Sequence, residues 1–181
     1  MNKIVLVGSK GGVGTSTVAI LHALTVARTG RCVRLTATAP AGVEDLAVIL
    51  AVPTPAPGEV VEVAPGLSLG DEADPGAYNV VDGDTDTFSD HDGPVYLVVR
   101  NCYISVRRAL LAPPTTAGVV LVMEPGRSLG RLDVADVVGV PIVAEVEVTA
   151  SVARCVDAGL LVSSRRPRLE IAEPSRPAAS R

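Results

Sequence analysis

Gly8-Ser9-Lys10-Gly11-Gly12-Val13-Gly14-Thr15-Ser16-Thr17 is the stretch whose reading decides the fold. An apolar run, Ile4-Val5-Leu6-Val7, leads into it, and a helical pattern from Val18 to Ala27 leads out. Strand, glycine loop and helix in that order make an anion cradle. Glycine lets the backbone bend until several N–H groups face one point. The helix that follows adds unsatisfied donors and its dipole. The spacing is close to G-x-x-x-x-G-K-[ST], with Gly8 and Gly14 as the fixed glycines. Thr15 stands where that pattern has lysine, and Ser16 keeps the hydroxyl that such loops turn toward Mg²⁺. The plain alternative is a glycine-rich turn without a ligand.

The rest of the composition suits a sheet buried on both faces. Of 181 residues, 48% are apolar and only 2% aromatic, so Val, Leu, Ile and Ala must build the core. So few aromatics argue against a base-stacking nucleic-acid surface. A net charge of −4 gives no strong overall attraction to nucleic acid or anionic lipid. The charge is uneven: residues 71–92 hold no Lys or Arg, whereas the end of the chain carries Arg165, Arg166, Arg168, Arg176 and Arg181. Cys32, Cys102 and Cys155 are odd in number and widely spaced, which suits reduced, mostly buried thiols rather than a disulfide framework. The chain opens directly on a strand pattern, and no apolar run approaches the roughly 18 residues of a membrane span. These features together give the expectation of a cytoplasmic protein without membrane insertion.

Lys10, an extra lysine early in the loop, makes Lys10-Gly11-Gly12-Val13-Gly14-Thr15-Ser16 resemble the deviant P-loop KGGxGKT of the ParA/MinD superfamily. The small residue at Thr15 is similar to the TadZ/CpaE branch. The resemblance implies an α/β, single-domain P-loop NTPase fold, with a mostly parallel sheet and helices on both faces. It implies ATP and Mg²⁺ as cofactors, with Lys10, Gly11, Gly12, Val13, Gly14, Thr15, Ser16 and Thr17 around the nucleotide. It also implies a homodimer in which Lys10 reaches the partner's nucleotide, serving cargo positioning or DNA partition. A scaffold that keeps the fold without a nucleotide is the other reading.

Taken in order, the remaining patterns fit that resemblance with departures. Arg31 to Leu35 reads as a strand, and Glu44 to Ala51 as a helix. Between them the superfamily has D-x-D-P-x-G, whose carboxylates serve Mg²⁺ and the attacking water. Thr36 and Thr38 stand there instead, and a threonine is no carboxylate base. At most a slow ATPase is therefore expected, with Glu44 or Asp45 as possible substitutes. Residues 52–66 are Pro-rich and read as a surface loop, with short strands at Val60 to Val63 and Leu67 to Leu69. Ala77 to Asp82 is an apolar strand ending in aspartate, similar to a Walker B element, so Asp82 would join Ser16 at the metal. Lys10 and Asp82 are the two possible catalytic residues.

The acidic stretch Gly83 to Gly93 lacks the glycine and closing glutamate of a calcium loop and reads as solvated. Val95 to Arg100, Gly118 to Met123 and Pro141 to Val146 read as strands. Helices are expected over Ile104 to Leu111, from Ser128 as cap to Val137, and over Thr149 to Ala158. Met123 and Glu124 occupy the place where relatives carry a base-reading Asn, so base recognition is altered or absent. Arg100, Arg107, Arg108 and the tail arginines are candidates for non-specific DNA contact. His22 is assigned no role. The expected organisation is a domain over 1–162 and a polar, basic, flexible tail over 163–181.

Overall fold

A computed structural model describes residues 2–84, 92–112, 116–164 and 168–171. In chain order the elements are β1 (Lys3–Gly8), α1 (Thr15–Ala27), β2 (Val33–Ala37), α2 (Pro40–Leu50), β3 (Val60–Ala64), β4 (Leu67–Gly70), β5 (Tyr78–Gly83) and β6 (Val95–Arg100). They continue with α3 (Tyr103–Ala109), β7 (Gly118–Met123), α4 (Arg131–Val138), β8 (Ile142–Glu147) and α5 (Ala150–Asp157). The strands form one sheet in the order β3-β4-β2-β5-β1-β6-β7-β8. Every pairing is parallel except β3 with β4, an antiparallel hairpin at one edge. The chain is thus a single α/β domain with a mostly parallel sheet, as the sequence implies.

Alternation along the central strands explains the layers. Ile4 and Leu6 of β1 point to one face, where they join Leu35, Val80 and the buried residues of α1 and α2. Leu97, Val99, Val119 and Leu121 point to the other, where Val106 of α3 and Val134 of α4 cover them. Because both faces are covered, the strands read as unbroken apolar runs rather than alternating ones. Helix α1 is buried continuously from Val18 to Leu24, so it is a core helix rather than the one-faced helix its Ile20, Leu21, Leu24 spacing suggests.

Several element ends differ from the sequence reading. Helix α2 starts at Pro40, four residues before Glu44, because proline at the first helical position needs no N–H partner. Strand β2 runs on to Ala37, carrying Thr36 into the sheet. Helix α4 starts after Gly130 rather than at Ser128, where the Asp133 carboxylate accepts the Gly130 N–H at 2.7 Å. Helix α5 is capped as expected: the Thr149 hydroxyl accepts the Val152 N–H at 3.2 Å. Thr149→Ala should cost about 1 kcal/mol of stability, read as a lower urea midpoint at unchanged m-value. Among the cysteines, Cys32 is exposed and the other two are half-buried, all of them free.

Beyond α5 the chain stays on the domain. Leu161, Leu169 and Ile171 are buried in the larger core cluster. The Leu169 N–H donates to Thr25 Oγ1 at 3.0 Å, and its carbonyl lies 3.3 Å from His22 Nδ1. A boundary drawn at 162 leaves Leu169 and Ile171 outside. Arg168 is exposed, and Arg165, Arg166, Arg176 and Arg181 lie outside the described residues. Residues 85–91 of the acidic stretch lie outside them as well.

Candidate functional site

The glycine loop joins the carboxyl end of β1 to the start of α1 at the centre of the sheet. Gly12 and Gly14 adopt φ of 74° and 97°, left-handed conformations that a side chain resists. Gly14 is also the residue before the first turn of α1, and the Val18 N–H closes back on its carbonyl at 2.9 Å. Gly8 is required for a different reason. A Cβ there would lie 2.6 Å from Thr15 Oγ1 and 3.1 Å from the Lys10 carbonyl. Val13 is 1% exposed and anchors the loop in the core rather than facing a ligand.

The loop floors a cavity of about 500 Å³. Lys10, Gly11, Gly12, Gly14, Thr15, Ser16 and Thr17 line it on one side. Thr38, Asp45, Asp82 and Asp84 close it from the ends of β2 and β5 and from α2. Of the residues expected at the nucleotide, all but Val13 line this cavity. The Lys10 ammonium donates to the Gly11 carbonyl at 2.9 Å.

Ser16 and Asp82 meet, although 66 positions separate their numbers, because β5 pairs with β1 in parallel register. Ser16 and Asp82 line the same cavity, and the Ser16 hydroxyl favours the ionised Asp82 carboxylate. Burial pushes the Asp82 carboxyl up to about 6, the Ser16 hydroxyl works against that rise, and Asp45 and Asp84 add to it. Hydroxyl and carboxylate at the mouth of a phosphate cradle fit Mg²⁺, which keeps most of its waters and takes one or two protein oxygens. No cluster of three or more His, Cys, Asp or Glu able to hold a metal occurs among the described residues. Any metal here would therefore share its shell with phosphate oxygens and water.

The two threonines in place of aspartates differ in what they do. Thr38 Oγ1 accepts the Asp84 N–H at 3.1 Å, tying the end of β2 to the end of β5. Thr36 is 4% exposed, and its hydroxyl has no hydrogen-bond partner among the described residues. Asp45, one of the possible substitutes, does line the cavity; Glu44 does not.

Two features were not legible in the sequence. Ser9 and Ser105 are 96 positions apart, yet their hydroxyls lie 2.7 Å apart and bind the loop to α3. Ser105 also accepts the Arg100 N–H at 2.8 Å. Asn101, 1% exposed, organises the exit of β7: its amide accepts the Glu124 N–H and donates to the carbonyls of Glu124 and Leu129. Glu124 in turn pairs with Arg127 at 2.8 Å. The three arginines proposed for DNA separate here. Arg107 and Arg108 are exposed on α3, whereas the Arg100 side chain is 28% exposed and turns inward.

No family model matches the sequence, and no curated protein matches it. Solved structures do match. The MinC:MinD cell division protein complex of Aquifex aeolicus aligns with TM-score 0.69 at 18% identity, covering 88% of this chain and 86% of that one. A ParA family ATPase from Chlorobium tepidum TLS gives TM-score 0.69 at 16% identity, covering 89% and 90%. The septum site-determining protein MinD of Pyrococcus horikoshii OT3, complexed with Mg-ADP, gives 0.66 at 15% identity, covering 88% and 87%. The chain therefore has the fold of the ParA/MinD superfamily. No helix among the described residues is long and apolar enough to cross a membrane.

Proposed function

We propose that the chain is a nucleotide-binding protein of ParA/MinD type that acts in the spatial positioning or partition of DNA or another cellular assembly. The observation that carries this reading is the glycine loop at the carboxyl edge of the sheet, with Ser16 and Asp82 lining the same cavity. Backbone N–H groups of the loop would hold the phosphates, and Ser16 and Asp82 the Mg²⁺ shell. ATP is the nucleotide that the resemblance implies, though the phosphate half of the site is indifferent to the base. When bound, the metal supplies charge neutralisation at the phosphates.

Hydrolysis is slow or absent on this reading. Thr15 brings no ammonium, Thr36 is buried away from the cavity, and the Thr38 hydroxyl is committed to Asp84. Nucleotide-linked pairing of two copies, with Lys10 crossing to the partner's ligand, would be the output, in the cytoplasm. Of the arginines named for weak contact with DNA, Arg107, Arg108 and Arg168 are exposed among the described residues.

The loss of charge at three positions favours one competing reading, a scaffold dimer that needs no nucleotide. Thermal unfolding separates the two. A rise in Tm with Mg²⁺ and nucleotide together supports binding, and an unmoved Tm at millimolar nucleotide supports the scaffold. Lys10→Ala should leave monomer binding nearly intact while abolishing any nucleotide-dependent dimer seen by light scattering.

A further inference from the structure

Thr15 brings no ammonium, so phosphate on this loop depends chiefly on backbone N–H groups. Such a bond weakens steeply once its angle falls below about 120°. The cradle is therefore only as good as the positions its backbone holds before a ligand arrives. Packing does not hold the middle of the loop. A Cβ built at Gly11, Gly12 or Gly14 would meet nothing within 4 Å. The Lys10 ammonium bonds the loop's own Gly11 carbonyl, which ties the loop to no other element.

Two anchors flank this open stretch. Val13 sits in the core cluster that α1 and α2 share, on one face of the sheet. Ser9 is the anchor toward the other face, where α3 lies. The Ser9 N–H donates to the Val98 carbonyl at 2.9 Å, the last link between this segment and β6. The Ser9 hydroxyl is hydrogen-bonded to that of Ser105 and has no other partner among the described residues. Ser105 is fully buried in the first turn of α3, and it is itself fixed. Its oxygen accepts the Arg100 N–H, and the turn between β6 and α3 is pinned to β7 by the Asn101 N–H on the Val122 carbonyl at 3.1 Å. Neither serine lines the phosphate cavity.

We propose that Ser105 is a positioning residue for phosphate: through Ser9 it sets where the glycine loop leaves the sheet, and so whether the loop's N–H groups converge. The proposal rests on the phosphate reading above. Titration calorimetry with Mg²⁺–ATP and, separately, with Mg²⁺–tripolyphosphate tests it. The proteins are the natural chain, Ser9→Ala, Ser105→Ala and the double variant, each shown by circular dichroism to be folded at the titration temperature. Each single variant is expected to bind both ligands about fivefold more weakly, the net worth of one hydrogen bond. The double variant should bind no more weakly than either single one, because both remove the same tie. A pair that only stabilises the fold would lower Tm and leave the affinity of the folded chain unchanged, and that result overturns the proposal. Losses that multiply in the double variant overturn it too, since the serines then act separately, as does a loss seen with ATP but not with tripolyphosphate. Should Ser105→Ala fail to fold because the Arg100 N–H is orphaned, Ser9→Ala decides alone. It leaves that N–H bonded, and an unchanged affinity overturns the proposal. If the natural chain binds neither ligand, the phosphate reading itself has failed; if it binds both and the variants match it, only the role of Ser105 has.

Discussion

Thr15→Lys is expected to tighten binding of a Mg²⁺–nucleotide by about tenfold to a hundredfold. A charge-assisted hydrogen bond contributes about 1.5–3 kcal/mol net, and each 1.4 kcal/mol is tenfold in affinity. The cavity has room for the change. Thr15 Oγ1 sits over Gly8, which has no Cβ, so a lysine stem can follow the same course toward the phosphates. Isothermal titration calorimetry on both proteins measures the effect. An unchanged affinity would mean that phosphate does not seat over residue 15, and the cradle would lose its main support. Turnover should stay low in this variant, because Thr36 and Thr38 remain without carboxylates.

Asp82→Asn is expected to stabilise the metal-free protein at pH 7.5 by about 1–3 kcal/mol, seen as a Tm rise of roughly 2–10 °C. The Asp82 carboxyl is raised to about 6 chiefly by burial, so the folded state prefers it protonated. Its stabilising contribution is full below 3.8 and is lost as pH rises through about 6. His22 carries the opposite sign. Burial lowers it from 6.5 to about 4, against the Leu169 carbonyl that favours its proton, with Arg31 adding to the fall. Its contribution is present above 6.5 and is lost as pH falls through about 4. The two groups therefore oppose one another between about 4 and 6. Removing Asp82 should unmask the histidine, so the variant loses stability on acidification more steeply than the natural chain. The same variant should lose any Mg²⁺ dependence of nucleotide binding. A variant less stable than the natural chain at pH 7.5 would show that the Ser16 hydroxyl outweighs burial.

How the site pairs stability against function follows from these two residues. A buried carboxylate beside a hydroxyl is unfavourable in the empty fold and becomes useful only when a cation arrives. That is the usual cost of a preorganised binding site.

The sequence by itself determined the loop, the strands beside it and the class of fold. Loop chemistry is local: glycine spacing between an apolar run and a helix lets the backbone bend into a cradle. Strands β6 and β7 fell at Val95–Arg100 and Gly118–Met123 because a sheet covered on both faces writes itself as unbroken Val and Leu. Boundaries at Pro40 and Gly130 were missed because those helices start without a side-chain cap of the N-cap residue's own. Only the tertiary structure decided the rest. It brought Ser105 to Ser9, folded Leu169 and Ile171 back onto α1 against His22, and turned Arg100 from a surface cation into the wall of an apolar slot. The first and last of those results depend on which strands lie side by side, since parallel pairing joins residues that no local pattern relates.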